Sequence, residues 1–373
     1  MRKGLGPWAL GLGLAVLTGC SGNVQSADSG SASPQHGETA AQEQGAERHG
    51  LAATEMDGSA TRPSHPLGEA KLDGPAPQVT QPYEAVTTGT VVFQSDVAGR
   101  PRIFSIDVGT GSVSQLTSGS DWRDESPRWS PDGQLIAFSS NRAHYGPQPE
   151  SGTPDLDIYV MRADGTDVRR ITTDPGNDND PSWTQDGQAL VFSSDRDSRG
   201  DLYRVRVADG QTERLTTNFV GRAIMPAVSP DGTRVAFAAQ TLRVGAFWNF
   251  QVHVLDLASG RTEPVPVSGG ACWPAWSPDG QVLFNVQLDS EPSTIQRREL
   301  ASGAVSVAHA HPSLWSYYPR VSPDGQWLAM SVSPEHHAGE DWDLALVSTS
   351  DPNRRVTLTT GPGNDRLPDW KPR

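Results

Sequence analysis

The fold is decided by a heptapeptide that recurs along the chain, first as Pro127-Arg128-Trp129-Ser130-Pro131-Asp132-Gly133. Four further copies are Pro181-Ser-Trp-Thr-Gln-Asp-Gly187, Pro226-Ala-Val-Ser-Pro-Asp-Gly232, Pro274-Ala-Trp-Ser-Pro-Asp-Gly280 and Pro319-Arg-Val-Ser-Pro-Asp-Gly325. The Trp or Val positions 129, 183, 228, 276 and 321 are 54, 45, 48 and 45 residues apart, and Pro368-Asp-Trp370 supplies a sixth after a further 49. A period of this length indicates a repeat architecture.

Each repeat predicts one four-stranded antiparallel sheet. A short first strand ends at the Trp or Val, and Ser-Pro-Asp-Gly then forms a tight turn, because Pro presets its φ angle, Asp bonds to the nearby backbone and Gly accepts a positive φ. Alternating apolar residues predict a second strand at 135–138 and a third at 157–161. Ala163-Asp-Gly165 makes the next turn, and the fourth strand closes on an aliphatic-Thr pair such as Ile171-Thr172.

A single sheet of this kind cannot bury both of its faces, so the sheets must stack on one another. About 48 residues per four-stranded unit is the size of a propeller blade. The first unit starts directly at a second strand, 90–93, and the C-terminus carries a spare first strand at 366–370. Joining the two ends predicts an all-β, six-bladed propeller over residues 88–373, closed by the C-terminal strand, and this closure removes unpaired sheet edges.

The repeat also resembles a known family. The segments that carry the resemblance are Pro-x-Trp-Ser-Pro-Asp-Gly, Ile-Ala-Phe-Ser-Ser (136–140), Asp-Ile-Tyr-Val-Met (157–161), Asp-Gly-Thr (164–166) and Arg-Ile-Thr (170–172). Together they resemble the TolB-type WD-like propeller repeat (PD-repeat) over roughly residues 88–373. TolB proteins are periplasmic components of the Tol-Pal envelope system and carry a small α/β domain before their propeller. The resemblance therefore implies a relative of TolB that lacks this domain.

The N-terminus predicts export and lipidation. Arg2 and Lys3 precede an apolar region over 5–17, which is typical of a signal peptide. The sequence Leu17-Thr-Gly-Cys20 resembles a bacterial lipobox, and this resemblance implies a signal peptide at 1–19 and lipidation of Cys20. Ser21, where an Asp would favour inner-membrane retention, favours the periplasmic face of the outer membrane, or the cell surface. An ordinary secretory signal with a chance cysteine is the alternative.

Residues 20–87 connect this anchor to the propeller. They are dominated by Gly, Ser, Ala, Gln, Glu, Pro and Thr, which cannot bury enough apolar surface to fold, so we expect a disordered tether. The net charge is -14, from 30 basic and 44 acidic residues, and this argues against nucleic-acid binding. No other apolar segment is long enough to span a bilayer, so we expect a monomer that meets the membrane only through its lipid.

In a propeller the first strand of each blade lines the central channel, so the residues just before each repeat proline are expected to crowd one mouth of it. Two positions before the six prolines stand Glu125, Asn179, Ile224, Cys272, Tyr317 and Arg366. Six different residue types do not suit an ion sieve or a symmetric metal cage. Nearby tryptophans, interleaved with acidic residues, suit a protein partner or a sugar; they are Trp122, Trp273 and Trp315. The alternative is that these tryptophans fill blade interfaces.

Two segments are candidates for binding a metal ion. His309-Ala-His311 would point both rings to one face of a strand, so zinc or manganese is one interpretation and polar loop residues are the other. The run 174–180 carries oxygen ligands that suit Ca²⁺ but lacks the spacing of an EF-hand, so a solvated connection is the alternative. No catalytic residue is predicted, and the sequence has no Gly-x-Ser-x-Gly nucleophile elbow.

These observations favour a membrane-tethered binding or scaffold propeller that presents its channel mouth to an envelope protein or peptide. Catalysis finds little support. The alternative is a metal-assisted polysaccharide lyase or hydrolase that uses the histidine cluster and the acidic rim.

Overall fold

In a computed structural model of the chain, the described residues are 77–79, 89–145, 155–197, 200–242, 248–267, 269–335 and 341–372. The predicted signal peptide (1–19), the lipidation site Cys20 and almost all of the tether (20–87) lie outside these ranges, so they stay predictions. Within the described ranges, none of the helical structure is long and apolar enough to cross a bilayer.

The described strands, numbered along the chain, form six four-stranded antiparallel sheets. From its innermost strand outward, blade 1 consists of β26 (Arg366–Trp370), β2 (Thr90–Ser95), β3 (Arg102–Asp107) and β4 (Val113–Gln115). Blade 2 consists of β5 (Asp124–Trp129), β6 (Leu135–Ser140), β7 (Asp157–Arg162) and β8 (Arg169–Arg170). Blade 3 consists of β9 (Asp178–Trp183), β10 (Ala189–Ser194), β11 (Asp201–Arg206) and β12 (Thr212–Arg214).

The second half of the ring repeats this order. Blade 4 consists of β13 (Arg222–Val228), β14 (Arg234–Leu242), β15 (Trp248–Asp256) and β16 (Thr262–Pro264). Blade 5 consists of β17 (Ala271–Trp276), β18 (Val282–Gln287), β19 (Thr294–Glu299) and β20 (Val305–His309). Blade 6 consists of β21 (Trp315–Val321), β22 (Trp327–Ser333), β23 (Asp343–Ser348) and β24 (Arg355–Thr357). A short pair, β1 (Gln78–Val79) with β25 (Thr359–Thr360), and a 3-10 turn at Arg142–His144 complete the described elements.

The six-bladed propeller predicted from the repeat is confirmed, and so is its closure. The innermost strands β26, β5, β9, β13, β17 and β21 each contact the next one around the ring. At the seam between the chain ends, β26 pairs antiparallel with β2 and places Trp370 opposite Val91. The first and last strands of the propeller are therefore held together by hydrogen bonds inside blade 1.

The Ser-Pro-Asp-Gly turn folds as its residues predict. In blade 2 the Ser130 hydroxyl donates to the Asp132 carboxylate at 2.6 Å, and the Gly133 amide donates to the Ser130 carbonyl at 2.9 Å. Gly133 has a φ of 66°, which a glycine adopts without a steric penalty. These hydrogen bonds lower the pKa of the turn aspartates, and in blade 4 they lower that of Asp231 to about 2. Blades 2 to 6 therefore each close their inner hairpin with a local network.

In blades 1, 2, 3 and 6 an aliphatic-Thr pair follows the fourth strand, and its threonine holds the strand by a hydrogen bond. In blade 3 the Thr216 hydroxyl accepts a hydrogen bond from the Leu202 amide of β11 at 3.0 Å. The same bond joins Ile103 to Thr117, Ile158 to Thr172, and Leu344 to Thr359. The threonine thus satisfies an amide that the short outer strand leaves unpaired, while its aliphatic neighbour packs into the core.

The core consists of apolar clusters between adjacent blades. Tryptophans at the ends of inner strands join one blade to the previous one: Trp183 Nε1 donates to the Arg128 carbonyl at 3.1 Å, and Trp276 Nε1 donates to the Ala227 carbonyl at 2.8 Å. The largest cluster lies across blades 4, 5 and 6, includes Leu367 of blade 1, and reaches the inner strands. This uneven distribution makes one side of the channel apolar.

Candidate functional site: two mouths of a closed channel

Each inner strand carries a bulge at its proline. Proline has no N–H to donate, so a proline inside a sheet is expected at a bulge or an edge. The pairing register shifts at this point in all six blades. The residue before each proline has a positive φ between 51° and 59°; these residues are Ser126, Asp180, Met225, Trp273, Tyr318 and Leu367. None of the six is β-branched, as the left-handed region requires.

These six residues lie on the six inner strands, and all but Asp180 are almost fully buried, so they leave no open passage between them. Met225, Trp273, Tyr318 and Leu367, from four different blades, belong to one buried cluster. The rings of Trp273 and Tyr318 pack edge to face, with centroids 4.6 Å apart. On the polar side the Ser126 hydroxyl donates to the Asp180 carboxylate at 3.0 Å. We call this layer the plug; it separates a strand-start mouth, where the inner strands begin, from a turn mouth, where they end in the Ser-Pro-Asp-Gly turns.

The six residues predicted two positions before the prolines flank the plug on the strand-start side and divide into two groups. Glu125, Asn179 and Arg366, from blades 1 to 3, are partly exposed. Ile224, Cys272 and Tyr317, from blades 4 to 6, are buried within the large apolar cluster. The structure therefore divides these six positions into a polar half-ring and an apolar half-ring.

The polar half-ring contains both signs of charge. Glu125 Oε1 lies 3.4 Å from Arg123 Nε. Burial raises the pKa of Glu125, while Arg123 and Arg366 oppose this rise. The Arg366 guanidinium packs 5.2 Å from the Trp342 ring centroid and donates to the Asn364 side chain at 3.0 Å. This mouth can therefore pair with charges of either sign on a partner.

The predicted tryptophans are packed rather than prominent. Trp122 is half-buried, and the guanidiniums of Arg102 and Arg142 each lie 5.6 Å from its ring centroid. Trp273 is part of the plug, and half-buried Trp315 packs against the large apolar cluster. These positions fit the alternative that the tryptophans fill interfaces, and a direct role in binding stays a prediction.

The candidate metal ligands of the described residues do not come together in one place. Burial lowers the pKa of His309 to about 4, helped by Arg355, whereas His311 is only half-buried. In the run 174–180, Asp174 and Asp178 both pair with Arg196, at 2.6 and 2.8 Å. Across the described ranges, no three His, Cys, Asp or Glu side chains converge as a metal site. His336 and His337, near the predicted pair in sequence, lie outside the described residues.

The turn mouth was not singled out by the sequence analysis. It contains a cavity of about 370 Å³ lined by the residues that follow each repeat proline, namely Arg128, Ser182, Ala227, Ala275, Arg320 and Asp369. Around them lie Trp129, Trp183, Trp276 and Trp370 and the turn prolines Pro131, Pro230, Pro278, Pro323 and Pro372. The sequence signal for this cavity is the residue after each repeat proline, which is charged in blades 1, 2 and 6 and small in blades 3, 4 and 5.

Comparison with known proteins agrees with this architecture. Residues 146–271 match the family described as the TolB beta propeller domain (PD40). A TolB homolog from Chlorobium luteolum is 36% identical over 183 residues, covering 48% of this chain and 36% of that protein. The Tol-Pal system protein TolB of Francisella tularensis subsp. mediasiatica is 27% identical over 202 residues, covering 54% of this chain and 43% of that protein.

The solved structure of TolB from Acinetobacter baumannii superposes with a TM-score of 0.62 at 21% identity, covering 76% of this chain and 67% of that one. At this identity the likeness shows the fold alone. The matched segments span less than half the length of the two curated relatives.

Proposed function

Since the folded part of the chain is a TolB-type β-propeller, we propose that it is a binding module of the cell envelope. The module presents its strand-start mouth to an envelope protein or peptide. A lipid on Cys20 and the tether over 20–87 hold it at the periplasmic face of the outer membrane.

The observation that carries this proposal is the polar half-ring above the plug. Glu125, Asn179 and Arg366 are partly exposed, while the plug beneath them closes the channel. A closed channel does not conduct, and the half-ring offers the mixture of charge and amide groups that gives protein interfaces their specificity. The apolar half-ring next to it holds the backbone of this mouth rigid, and rigidity reduces the entropy cost of docking.

The relatives support the same role. A similar protein is named as a Tol-Pal system protein, so the candidate partners are proteins of such an envelope assembly. The match covers only part of that relative, and the partner must therefore be identified on this chain itself.

Site-specific photocross-linking tests the proposed mouth. A photoreactive amino acid at Asn179 is expected to capture an envelope protein in intact cells, and mass spectrometry then identifies it. The same amino acid at Glu263, exposed on the outermost strand of blade 4, is the matched control and is expected to capture nothing specific. Capture from Glu263 but not from Asn179 would reject the strand-start mouth as the docking surface.

Charge reversal sharpens this test, since a partner held by the polar half-ring must respond to it. Glu125→Arg and Arg366→Glu are each expected to reduce the Asn179 cross-link by about tenfold, because each places like charges against the partner. An unchanged yield in both variants would mean that the captured protein does not contact these side chains.

The anchor is tested separately. Cys20→Ala is expected to release the chain from the membrane fraction, and Ser21→Asp is expected to shift it from the outer to the inner membrane. A Cys20→Ala chain that stays in the membrane fraction would show that the lipobox is not used.

A further inference from the structure

The turn mouth is built differently from the strand-start mouth and suggests its own ligand. Its six lining positions fall into two contiguous halves of the ring. Blades 3, 4 and 5 contribute small side chains, and these leave the open space of about 370 Å³. Blades 6, 1 and 2 contribute Arg320, Asp369 and Arg128 in that order, so one carboxylate stands between two guanidiniums.

The carboxylate of Asp369 is already occupied. Its Oδ2 accepts a hydrogen bond from the Trp129 amide at 2.8 Å, and its Oδ1 lies 3.7 Å from Arg320 Nε. Asp180, the other carboxylate within electrostatic reach of both arginines, lies in the plug and accepts from Ser126. Neither acid forms the close bidentate pair that a buried guanidinium favours.

The two arginines therefore keep unused donors. Arg128 Nη1 donates to the Pro127 carbonyl at 2.7 Å. Arg320 Nη1 donates to the Pro319 carbonyl at 2.9 Å and reaches the Pro274 carbonyl at 3.5 Å. Within the described part of the chain, Nη2 of neither arginine has a hydrogen-bond acceptor. Burial, and then the charge of Arg128, lowers the pKa of Arg320 to about 9, so an added anion would relieve a repulsion between the two groups.

The shape of the cavity selects how a ligand enters. Along each inner strand the plug residue comes two positions before the residue that lines the cavity, and Trp273 and Tyr318 in the plug are almost fully buried, so the cavity ends at the plug. A polypeptide can therefore enter only by one of its ends and cannot pass through. An N-terminal ammonium would meet two guanidiniums, whereas a C-terminal carboxylate would meet their free donors. A cavity of this size lies at the lower end of the range for small-ligand pockets, roughly 300 to 1,000 Å³, so it suits a few residues of a chain end and not a folded domain.

The rim adds an apolar requirement. Five turn prolines, partly or fully exposed, surround the opening, and four almost fully buried tryptophans pack behind them. Rigid proline surfaces bind apolar peptide segments at low entropy cost. We propose that the turn mouth binds the C-terminal end of an apolar peptide, with Arg128 and Arg320 holding its carboxylate. This site goes beyond the docking of an envelope protein at the opposite mouth and does not depend on it.

The probe is a pair of synthetic hexapeptide mixtures labelled with fluorescein at the N-terminus. The last four positions vary among Ala, Val, Leu, Phe and Pro; one mixture ends in a free carboxyl and the other in an amide. Fluorescence anisotropy with the full chain is expected to show binding of the free acid at least tenfold tighter than that of the amide. Equal binding of the two mixtures, or binding of neither, would overturn the proposal.

Substitutions locate the site. Arg128→Gln and Arg320→Gln are each expected to weaken binding of the free-acid mixture about tenfold. Arg261→Gln is the matched control, because this exposed arginine lies beside the outermost strand of blade 4, and it should leave binding unchanged. Removing one of two repelling buried charges should not prevent folding, and circular dichroism checks this. If either variant fails to fold, Arg320→Lys, which keeps the charge and loses the planar pair of donors, is expected to show the same loss. Unchanged binding in the folded variants would reject the arginine pair as the carboxylate site.

A third mixture distinguishes a chain end from an acidic side chain. It carries one internal Asp and a C-terminal amide. We expect it to bind as weakly as the amide control, because a closed floor admits a chain end more readily than a loop. Binding as tight as that of the free acid would overturn the assignment to a C-terminus.

Discussion

The sequence Pro-Gly-Asn-Asp occurs twice, at 175–178 and at 362–365, and the two copies differ in one ion pair. Each copy leads into an inner strand, β9 of blade 3 or the closing strand β26. In both copies the backbone N–H of the Asn donates, at 2.7 Å, to the carboxylate of an aspartate that directly follows the second strand of the same blade. These pairs are Asn177 with Asp195 and Asn364 with Asp96. The two corners therefore share this backbone hydrogen bond.

The last aspartate of each copy is buried, but only one of the two has an arginine. Arg196 pairs with Asp178 at 2.8 Å and also donates to Ser194 at 2.9 Å. At the seam, Val97 occupies the position of Arg196, and Asp365 keeps only the hydroxyls of Ser95 and Thr359.

The missing arginine makes the seam sensitive to pH. Burial raises the pKa of Asp365 to about 7, and the nearby carboxylates of Asp343 and Asp96 add to this rise. Burial also raises the pKa of Asp178, but Arg196 opposes that rise. Among the described residues Asp365 Oδ1 has no hydrogen-bond partner. The same corner therefore tolerates a buried aspartate with or without an arginine, and the one without it lies at the seam, where the chain ends meet.

Removing the closing strand tests what the seam contributes, and it should have the largest effect. A chain that ends after Asp365 loses the pairing of β26 with β2 and the bond from the Trp129 amide to Asp369. It leaves the edge of β2 unpaired, and an exposed strand edge templates aggregation. We expect aggregation and the loss of a single cooperative unfolding transition. A soluble truncated chain with an unchanged melting transition would show that the seam does not hold the ring.

Replacing Arg196 of blade 3 by the valine found at the seam should have the next largest effect on the free energy of unfolding. Arg196→Val leaves Asp178 buried without a cation, and removing one partner of a buried pair costs about 3–5 kcal/mol. The free energy of unfolding in urea at pH 8 measures this loss. The double variant Arg196→Val/Asp178→Asn should recover most of it, since the charge that needs the arginine is gone. A loss below about 1 kcal/mol in the single variant would contradict the role assigned to this pair.

Asp365→Asn should remove the pH sensitivity of the seam. The folded pKa of Asp365, about 7, exceeds the unfolded value of roughly 3.9, so the folded state binds more protons than the unfolded chain between these values. The free energy of unfolding that Asp365 contributes is therefore greatest below about pH 4. It falls as the pH rises from about 4 to 7, and it is lowest above pH 7. We expect the variant to be more stable than the natural chain at pH 8 by about 2 kcal/mol and equal or less stable at pH 4.

Urea unfolding at both pH values measures this difference. Asp121→Asn, at an exposed aspartate, is the control and should shift neither value. Parallel pH profiles for the natural chain and Asp365→Asn would mean that Asp365 is not the group that titrates.

The sequence predicted the blade but not the plug inside the ring, for a physical reason. The period and the Ser-Pro-Asp-Gly turn are local signals, so the blade count and the closing strand followed from them. Which side chain reaches the axis depends on the bulge at each proline, and this changes the register by one step and sends Trp273 and Tyr318 inward. A one-residue shift reverses the face on which a side chain lies. A proline inside an inner strand was the available signal for that bulge.

The difference between the two corners was also present in the sequence. Aligning the repeats places Asn141-Arg142 and Asp195-Arg196 against Asp96-Val97. Whether the arginine reaches the buried carboxylate depends on the path of its side chain over the aromatic pair of the same blade. Arg142 lies 5.1 Å from the Phe138 centroid, and its guanidinium meets Asp124 at 2.7 Å. Sequence alone does not fix that path.

Val97→Arg should bring the seam closer to blade 3, with a smaller gain. The Phe93–Phe104 pair of blade 1 matches the Phe192–Tyr203 pair on which Arg196 lies, so the new side chain has the same platform. We expect a gain of about 1–2 kcal/mol at pH 8 from a charge-assisted pair with Asp365. Combined with Asp365→Asn, the substitution should add nothing, and a double-mutant cycle at pH 8 measures this coupling. Equal gains with and without Asp365→Asn would show that the arginine acts through packing only.

The smallest effect is expected from the outer half of the blade 3 network. Arg196 Nη1 also meets Asp174 at 2.6 Å, and the seam has Gly361 at this position. Because about half of the Asp174 side chain is exposed, water already solvates its charge, and exposed pairs contribute roughly 0–1 kcal/mol. Asp174→Asn should therefore change the free energy of unfolding by less than about 1 kcal/mol, and 0.5 M salt should remove most of the difference because it screens exposed pairs. A loss as large as that of Arg196→Val would place the critical contact of this corner at the surface and not at the buried Asp178.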